Sequence, residues 1–234
     1  LKIAVLISGS GRTLKNFLEL VEADQLPVEI ALVIASSATA GGLAHAEAAG
    51  IPTSVVNRGE YATDELFGAA VFSRCRTAEV ELVVMAGWLK LCPVPDDYSG
   101  RVVNIHPSLL PAFGGHGMYG DRVHAAVLER GCKVTGVTVH FVDNEYDAGP
   151  IIWQTPVPVF EDDTPHALAA RVFEAEKEAY PHVLRMLAAG RVTLDEGRVR
   201  IGKPKRTARG PSGSAEQKAE QKVSWIKARR TASE

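Results

Sequence analysis

Membrane-length apolar runs are missing from these 234 residues, so no segment is expected to span a bilayer and no membrane partner is expected. Cysteine is scarce: Cys75, Cys92 and Cys132 are odd in number, widely scattered and without metal-ligand spacing. They read as reduced thiols of a core or loop, and no metal is expected. A charged-then-apolar leader is absent at the start, and the chain reads as cytoplasmic. There is no internal repeat. Excess positive charge is also lacking in most of the chain. From Lys203 to Glu234 nine Lys/Arg stand against three Asp/Glu, a local +6, so residues 1–202 carry −8 although the whole chain carries −2. An acidic body argues against nucleic acid as its main ligand. The basic stretch has few apolar residues and reads as a solvated tail with a short helix near 218–229.

Hydrophobic content of 46% is enough to fill a core. Lys2–Ile7 is a short apolar run followed by Ser8-Gly9-Ser10-Gly11; Leu14, Phe17, Leu18 and Val21 then recur at helical spacing. Val28–Ala35, Thr53–Val56 and Leu82–Met85 read as further strands, with helices over Gly41–Ala49 and Glu60–Glu79 between them. Val102–His106 ends a central strand, and Asp121–Glu129 is helical. The pattern then changes: Gly136–Val142 and Pro150–Val159 are β-rich runs around the polar loop 143–149. Thr164-Pro165 opens a long helix to about Ala189, a hydroxyl cap followed by proline in the first turn. Alternating strands and helices predict an α/β doubly wound, mostly parallel central sheet with helices on both faces. The two later runs predict extra mixed strands at one edge.

The chain is organised around Asn104-Ile105-His106-Pro107-Ser108-Leu109-Leu110-Pro111. Asn104 and His106, two positions apart, leave one side of a strand end together. Pro107 holds His106 extended. Strand carboxyl ends are where open α/β sheets keep their chemistry. Asp147 lies in the polar loop that the two β runs return to the same edge. Carboxylate, imidazole and carboxamide together suit acyl or formyl transfer to an amine. The amide and a protonated imidazole donate to an oxyanion, and the carboxylate keeps the imidazole charged and holds a proton-carrying water. Ser108 lacks the context of a nucleophile.

Other positions keep two readings. Gly11, Arg12 and Thr13 suit a monophosphate at a helix N-terminus, or an ordinary tight turn. His140 is a core histidine or a partner of Asp147. Glu176 interrupts the apolar stripe of the last helix, as the edge of an amphipathic face or as a carboxylate for sugar hydroxyls. The loop Met85–Cys92 suits a flat heteroaromatic ligand, or packs a strand-to-helix turn.

Taken together these residues resemble the folate-dependent formyltransferase superfamily over residues 1–200. The Asn104–Pro111 block with Asp147-Ala148-Gly149-Pro150 carries that resemblance. The loop Ile7–Gly11 with Glu176 narrows it to the phosphoribosylglycinamide formyltransferases. The resemblance implies a Rossmann-like formyltransferase fold for a catalytic domain over 1–202; the basic tail at 203–234, marked by its composition, has no counterpart in the family pattern. It implies formyl transfer from 10-formyltetrahydrofolate to the amine of glycinamide ribonucleotide in purine synthesis, with Asn104, His106 and Asp147 catalytic. It assigns the substrate phosphate to Gly11, Arg12 and Thr13, and the ribose to Glu176. Leu89, Lys90, Leu91 and Cys92, with Asn104, Asp143, Asn144 and Asp147, would hold the folate. A homodimer is left open. A deformylase is expected to need a regulatory domain before the first strand. A tRNA formyltransferase is expected to need more than the 32 residues after Gly202.

Overall fold

The computed structural model describes residues 1–203; the expected tail helix at 218–229 lies outside the described residues. Five apolar runs pair in parallel: β1 (Lys2–Ile7), β2 (Glu29–Ala35), β3 (Thr53–Val55), β4 (Leu82–Met85) and β5 (Val102–His106). β6 (Val134–Phe141) and β7 (Ile151–Pro158) add antiparallel strands beyond β5. The resulting seven-stranded sheet has the order β3-β2-β1-β4-β5-β6-β7. The order reverses beside β1, so the loops leaving β1 and β4 diverge there and open a crevice.

Side chains alternate along β1 between two cores. Ile3, Val5 and Ile7 enter one with Leu14 and Phe17 of α1 (Arg12–Glu22) and with Leu168, Val172 and Tyr180 of α5 (Pro165–Ala188). Ala4 and Leu6 enter the other with Phe67, Val71 and Phe72 of α3 (Asp64–Thr77). Helices therefore cover both faces, and the inner strands are apolar at nearly every position. Burying each large aliphatic side chain contributes about 1.5–3 kcal/mol. The remaining helices are α2 (Gly42–Ala48) and α4 (Asp121–Glu129).

Several boundaries differ from the sequence reading. α3 starts at Asp64 rather than Glu60, because the Thr63 hydroxyl accepts from Leu66 N at 3.3 Å and caps it there. Residues 58–60 form a separate 3₁₀ turn capped by Asn57. β6 begins at Val134, two residues early, where Pro158 of β7 is its partner. A hairpin of β8 (Val192–Asp195) and β9 (Arg198–Ile201) falls where the sequence reading saw only the end of the domain. Glu196 and Gly197 both have positive φ, 49° and 76°, as a tight two-residue hairpin turn requires. Val192, Leu194, Val199 and Ile201 alternate with polar residues about the Glu196-Gly197 turn, a hairpin signal that the sequence reading did not take up.

Tyr180 ties α5 to the sheet. Its buried hydroxyl lies 3.0 Å from the carbonyl oxygens of both Met85 and Val103, donating its one proton between the end of β4 and the start of β5. Tyr180→Phe leaves both carbonyls in an apolar surround. A loss of about 1–3 kcal/mol in urea unfolding is expected; an unchanged midpoint would contradict this role.

Candidate active site

Alternation along β5 sends Val103 and Ile105 into the first core and leaves Asn104 and His106 beside a cavity of about 330 Å³. In the next strand His140 stands opposite Asn104, and Thr138 opposite His106. His140 is buried, and its Nδ1–H donates to the Phe141 carbonyl at 2.7 Å. That bond fixes the tautomer and leaves Nε2 as an acceptor, 3.2 Å from Asn104 Nδ2. Burial holds the His140 imidazole below its usual pKa, against the opposing pulls of the Phe141 carbonyl and Asp147. A neutral His140 thus takes one N–H of Asn104 and leaves the other for the cavity that Asn104 lines.

Asp147 comes back to this edge as the topology requires. Its carboxylate lies 3.4 Å from His106 Nδ1 and 3.8 Å from His140 Nε2, and Oδ2 accepts from Gly115 N at 2.9 Å. The sequence reading has His106 donate to an oxyanion. Here its Nε2–H donates instead to the Phe113 carbonyl at 2.8 Å. With Nδ1 turned to Asp147, both nitrogens are engaged. A bond from His106 to substrate therefore requires the Phe113 carbonyl to give way. Phe113 itself sits at φ 55°, a conformation that non-glycine residues seldom adopt.

The glycine loop between β1 and α1 forms the other end of the cavity. Gly11 has φ 72° and precedes α1, whose first turn carries no acidic residue to oppose an anion. A Cβ on Gly11 would lie 2.5 Å from Gly42 Cα, so two glycines let the loop rest on the start of α2. Arg12 and Thr13 line the cavity, and the Arg12 guanidinium lies 4.2 Å over the Phe173 ring. Glu176 faces the same space. Burial pushes its carboxyl up to about 7, against the downward pull of Arg12.

The expected folate residues divide. Leu89 lines the cavity. Lys90 and Leu91 lie outside its wall, and Cys92 turns into the second core, where burial pushes its thiol up to about 12. Cys92 can meet a ligand only through its backbone. Asp143 and Asn144 brace their loop instead: Asp143 Oδ1 accepts from Glu145 N at 2.9 Å, and Asn144 Oδ1 from Val94 N at 2.8 Å. The sequence reading gives no role to His124, which lines the cavity with Trp88 and with Tyr146 of the loop 143–147. His124 interrupts the apolar face of α4 between Val123 and Val127, the same kind of signal that marked Glu176. Trp88 Nε1 and His124 Nδ1 are buried without a hydrogen-bond partner. Among the described residues no cluster of three His, Cys, Asp or Glu side chains is placed to hold a metal. No helix among them is long and apolar enough to cross a membrane.

Residues 1–184 match the family model described as formyl transferase, and the chain belongs to that family. Its relatives lie among the phosphoribosylglycinamide formyltransferases. It is 36% identical over 197 residues to the Haemophilus influenzae phosphoribosylglycinamide formyltransferase, covering 83% of this chain and 91% of that one. It is 42% identical over 197 residues to the chicken trifunctional purine biosynthetic protein adenosine-3, covering 83% of this chain and 19% of that much longer one. The chain thus spans about a fifth of the trifunctional relative. The structure of glycinamide ribonucleotide transformylase 1 from Symbiobacterium toebii superposes with a TM-score of 0.81 at 40% identity, over 87% of this chain and 94% of that one.

The raised carboxyl of Glu176 has a consequence for stability. Between its ordinary value of 4.5 and about 7 the native state keeps a proton that the unfolded chain has released. Stability therefore falls as pH rises through that window, and below it the effect vanishes. Glu176→Gln is expected to raise thermal stability at pH 8 but not at pH 4. The gain is on the order of 1 kcal/mol after screening of a half-buried group. Equal melting shifts at both pH values would contradict the assignment.

Proposed function

We propose that the chain transfers a formyl group from 10-formyltetrahydrofolate to the amine of glycinamide ribonucleotide. The observation that carries the reading is the span of one cavity, from an anion loop with Arg12 and Glu176 to Asn104, His106 and Asp147. A ribose phosphate reaches across the first group, with its phosphate on the α1 N-terminus and its hydroxyls on Glu176. The glycinamide amine then points at the strand ends. The folate's flat heterocycle packs against Trp88, Leu89 and Tyr146, beside the buried Trp88 N–H.

The amine nitrogen attacks the formyl carbon, and negative charge develops on the formyl oxygen. Asn104 donates the N–H that His140 leaves, and His106 joins it when the formyl oxygen replaces the Phe113 carbonyl on Nε2. Asp147 keeps the imidazole oriented through Nδ1. A water held by the same carboxylate takes a proton from the attacking nitrogen and returns one to the folate nitrogen. The tetrahedral species then collapses: the bond from formyl carbon to folate nitrogen breaks, and the amine keeps the formyl group. Atoms and charges balance without a covalent enzyme intermediate.

Steady-state turnover with 10-formyltetrahydrofolate should be measured with glycinamide ribonucleotide, with free glycinamide and with no acceptor. Turnover with the ribonucleotide alone is expected. Folate release without an acceptor would replace transfer by hydrolysis. Equal turnover with free glycinamide would remove the phosphate role of residues 11–13.

A further inference from the structure

Pro181 lies inside α5. Proline has no N–H, and its ring crowds the carbonyl four residues earlier, so the Lys177 carbonyl loses its helical donor. A side chain from another helix supplies the replacement: Asn16 Nδ2 of α1 donates to Lys177 O at 3.1 Å. Two more contacts join the same helices on either side of this bond. The Arg12 guanidinium covers Phe173 at 4.2 Å, and Phe17 meets Tyr180 edge-on at 5.3 Å between ring centroids. Arg12 and Asn16 are about one turn apart on α1, and Phe173 and Lys177 about one turn apart on α5. The contacts form a seam between the helices. Contacts to ring faces and edges tolerate sliding, whereas a hydrogen bond to one carbonyl has a narrow range of distance and angle. Asn16 is thus the member that sets the register. At the cavity end of the seam, Arg12 and Thr13 share a wall with Glu176.

We propose that Asn16 is a positioning residue for ribonucleotide recognition. By occupying the carbonyl that Pro181 leaves unpaired, it fixes α1 against α5 and so sets the span between the anion loop and Glu176. The inference rests on the proposed function, in which one ribose phosphate bridges those two groups. Such a ligand is sensitive to their spacing; a folate held against Trp88 and Tyr146 is not.

The test uses the full chain with Asn16→Ala, Asn16→Asp, Pro181→Ala and the Asn16→Ala/Pro181→Ala double variant. Asn16→Asp keeps the shape and removes the donor. Either Asn16 variant is expected to raise KM for glycinamide ribonucleotide about tenfold, the worth of one such hydrogen bond. kcat and the KM for 10-formyltetrahydrofolate are expected to stay within about twofold. In the double variant the residue 181 N–H reaches Lys177 O from within the helix, and KM should return towards wild type. Calorimetric titration with ribose 5-phosphate, which involves no turnover, should show the same loss and the same recovery. An unchanged KM, a joint decline of kcat and both KM values, or no recovery on adding Pro181→Ala would overturn the proposal, as would a wild type that fails to bind ribose 5-phosphate. If the wild type binds ribose 5-phosphate but transfers no formyl group, the functional reading fails while the calorimetric series still decides the role of Asn16.

Discussion

The approach of Gly149 to the Phe141 carbonyl is the constraint on which the catalytic edge depends. A Cβ at Gly149 would fall 1.9 Å from that oxygen, so only glycine lets the loop after β6 fold back this tightly. The same oxygen accepts the Nδ1–H of His140. One carbonyl thus serves the return of the loop and the tautomer of a buried imidazole, which in turn holds the carboxamide of Asn104. Two residues before Gly149, Asp147 takes φ 56° and brings its carboxylate to His106. A larger residue at 149 would therefore disturb three functional side chains, although glycine itself touches none of the chemistry.

Recognition and chemistry draw on different physics within one cavity. The end at Gly11 is built from backbone: a left-handed glycine, a helix N-terminus and two glycines in contact, a geometry suited to an anion. The reacting end relies on side chains held by buried partners, with each orientation set by a hydrogen bond one step further from the cavity. α5 serves both ends. It carries Glu176 and Phe173 towards the cavity, and Tyr180 to the carbonyls of Met85 at the end of β4 and Val103 near the start of β5. Movement of that helix would be felt at the glycine loop and at the strand that bears Asn104 and His106.

Much of this was legible in the sequence, and the reasons are local. The apolar runs of β1, β2 and β4, bounded by glycine or polar loops, identify strands buried on both faces. Period-two alternation puts Asn104 and His106 on one side of β5. The return of Asp147 followed from two β runs around one polar loop. What was not legible depends on contacts between distant segments. Nothing in the sequence says that His106 Nε2 finds the Phe113 carbonyl, or that Cys92 turns into the second core. The contact of Gly11 with Gly42 and the bond from Asn16 to Lys177 pair positions with no shared periodicity. The β8–β9 hairpin was written in the alternation of Val192, Leu194, Val199 and Ile201 about Glu196-Gly197, but strands of four residues are short enough to pass for the end of a domain.

We propose direct passage of the formyl group between the substrates, with Asn104, His106 and Asp147 supplying hydrogen bonds and moving a proton. An acid-quenched single turnover with donor labelled in the formyl carbon tests it most directly. Direct transfer requires that label lost from the folate is found on the amine at every time point, with none attached to protein. Label bound covalently to the protein before product forms would contradict it.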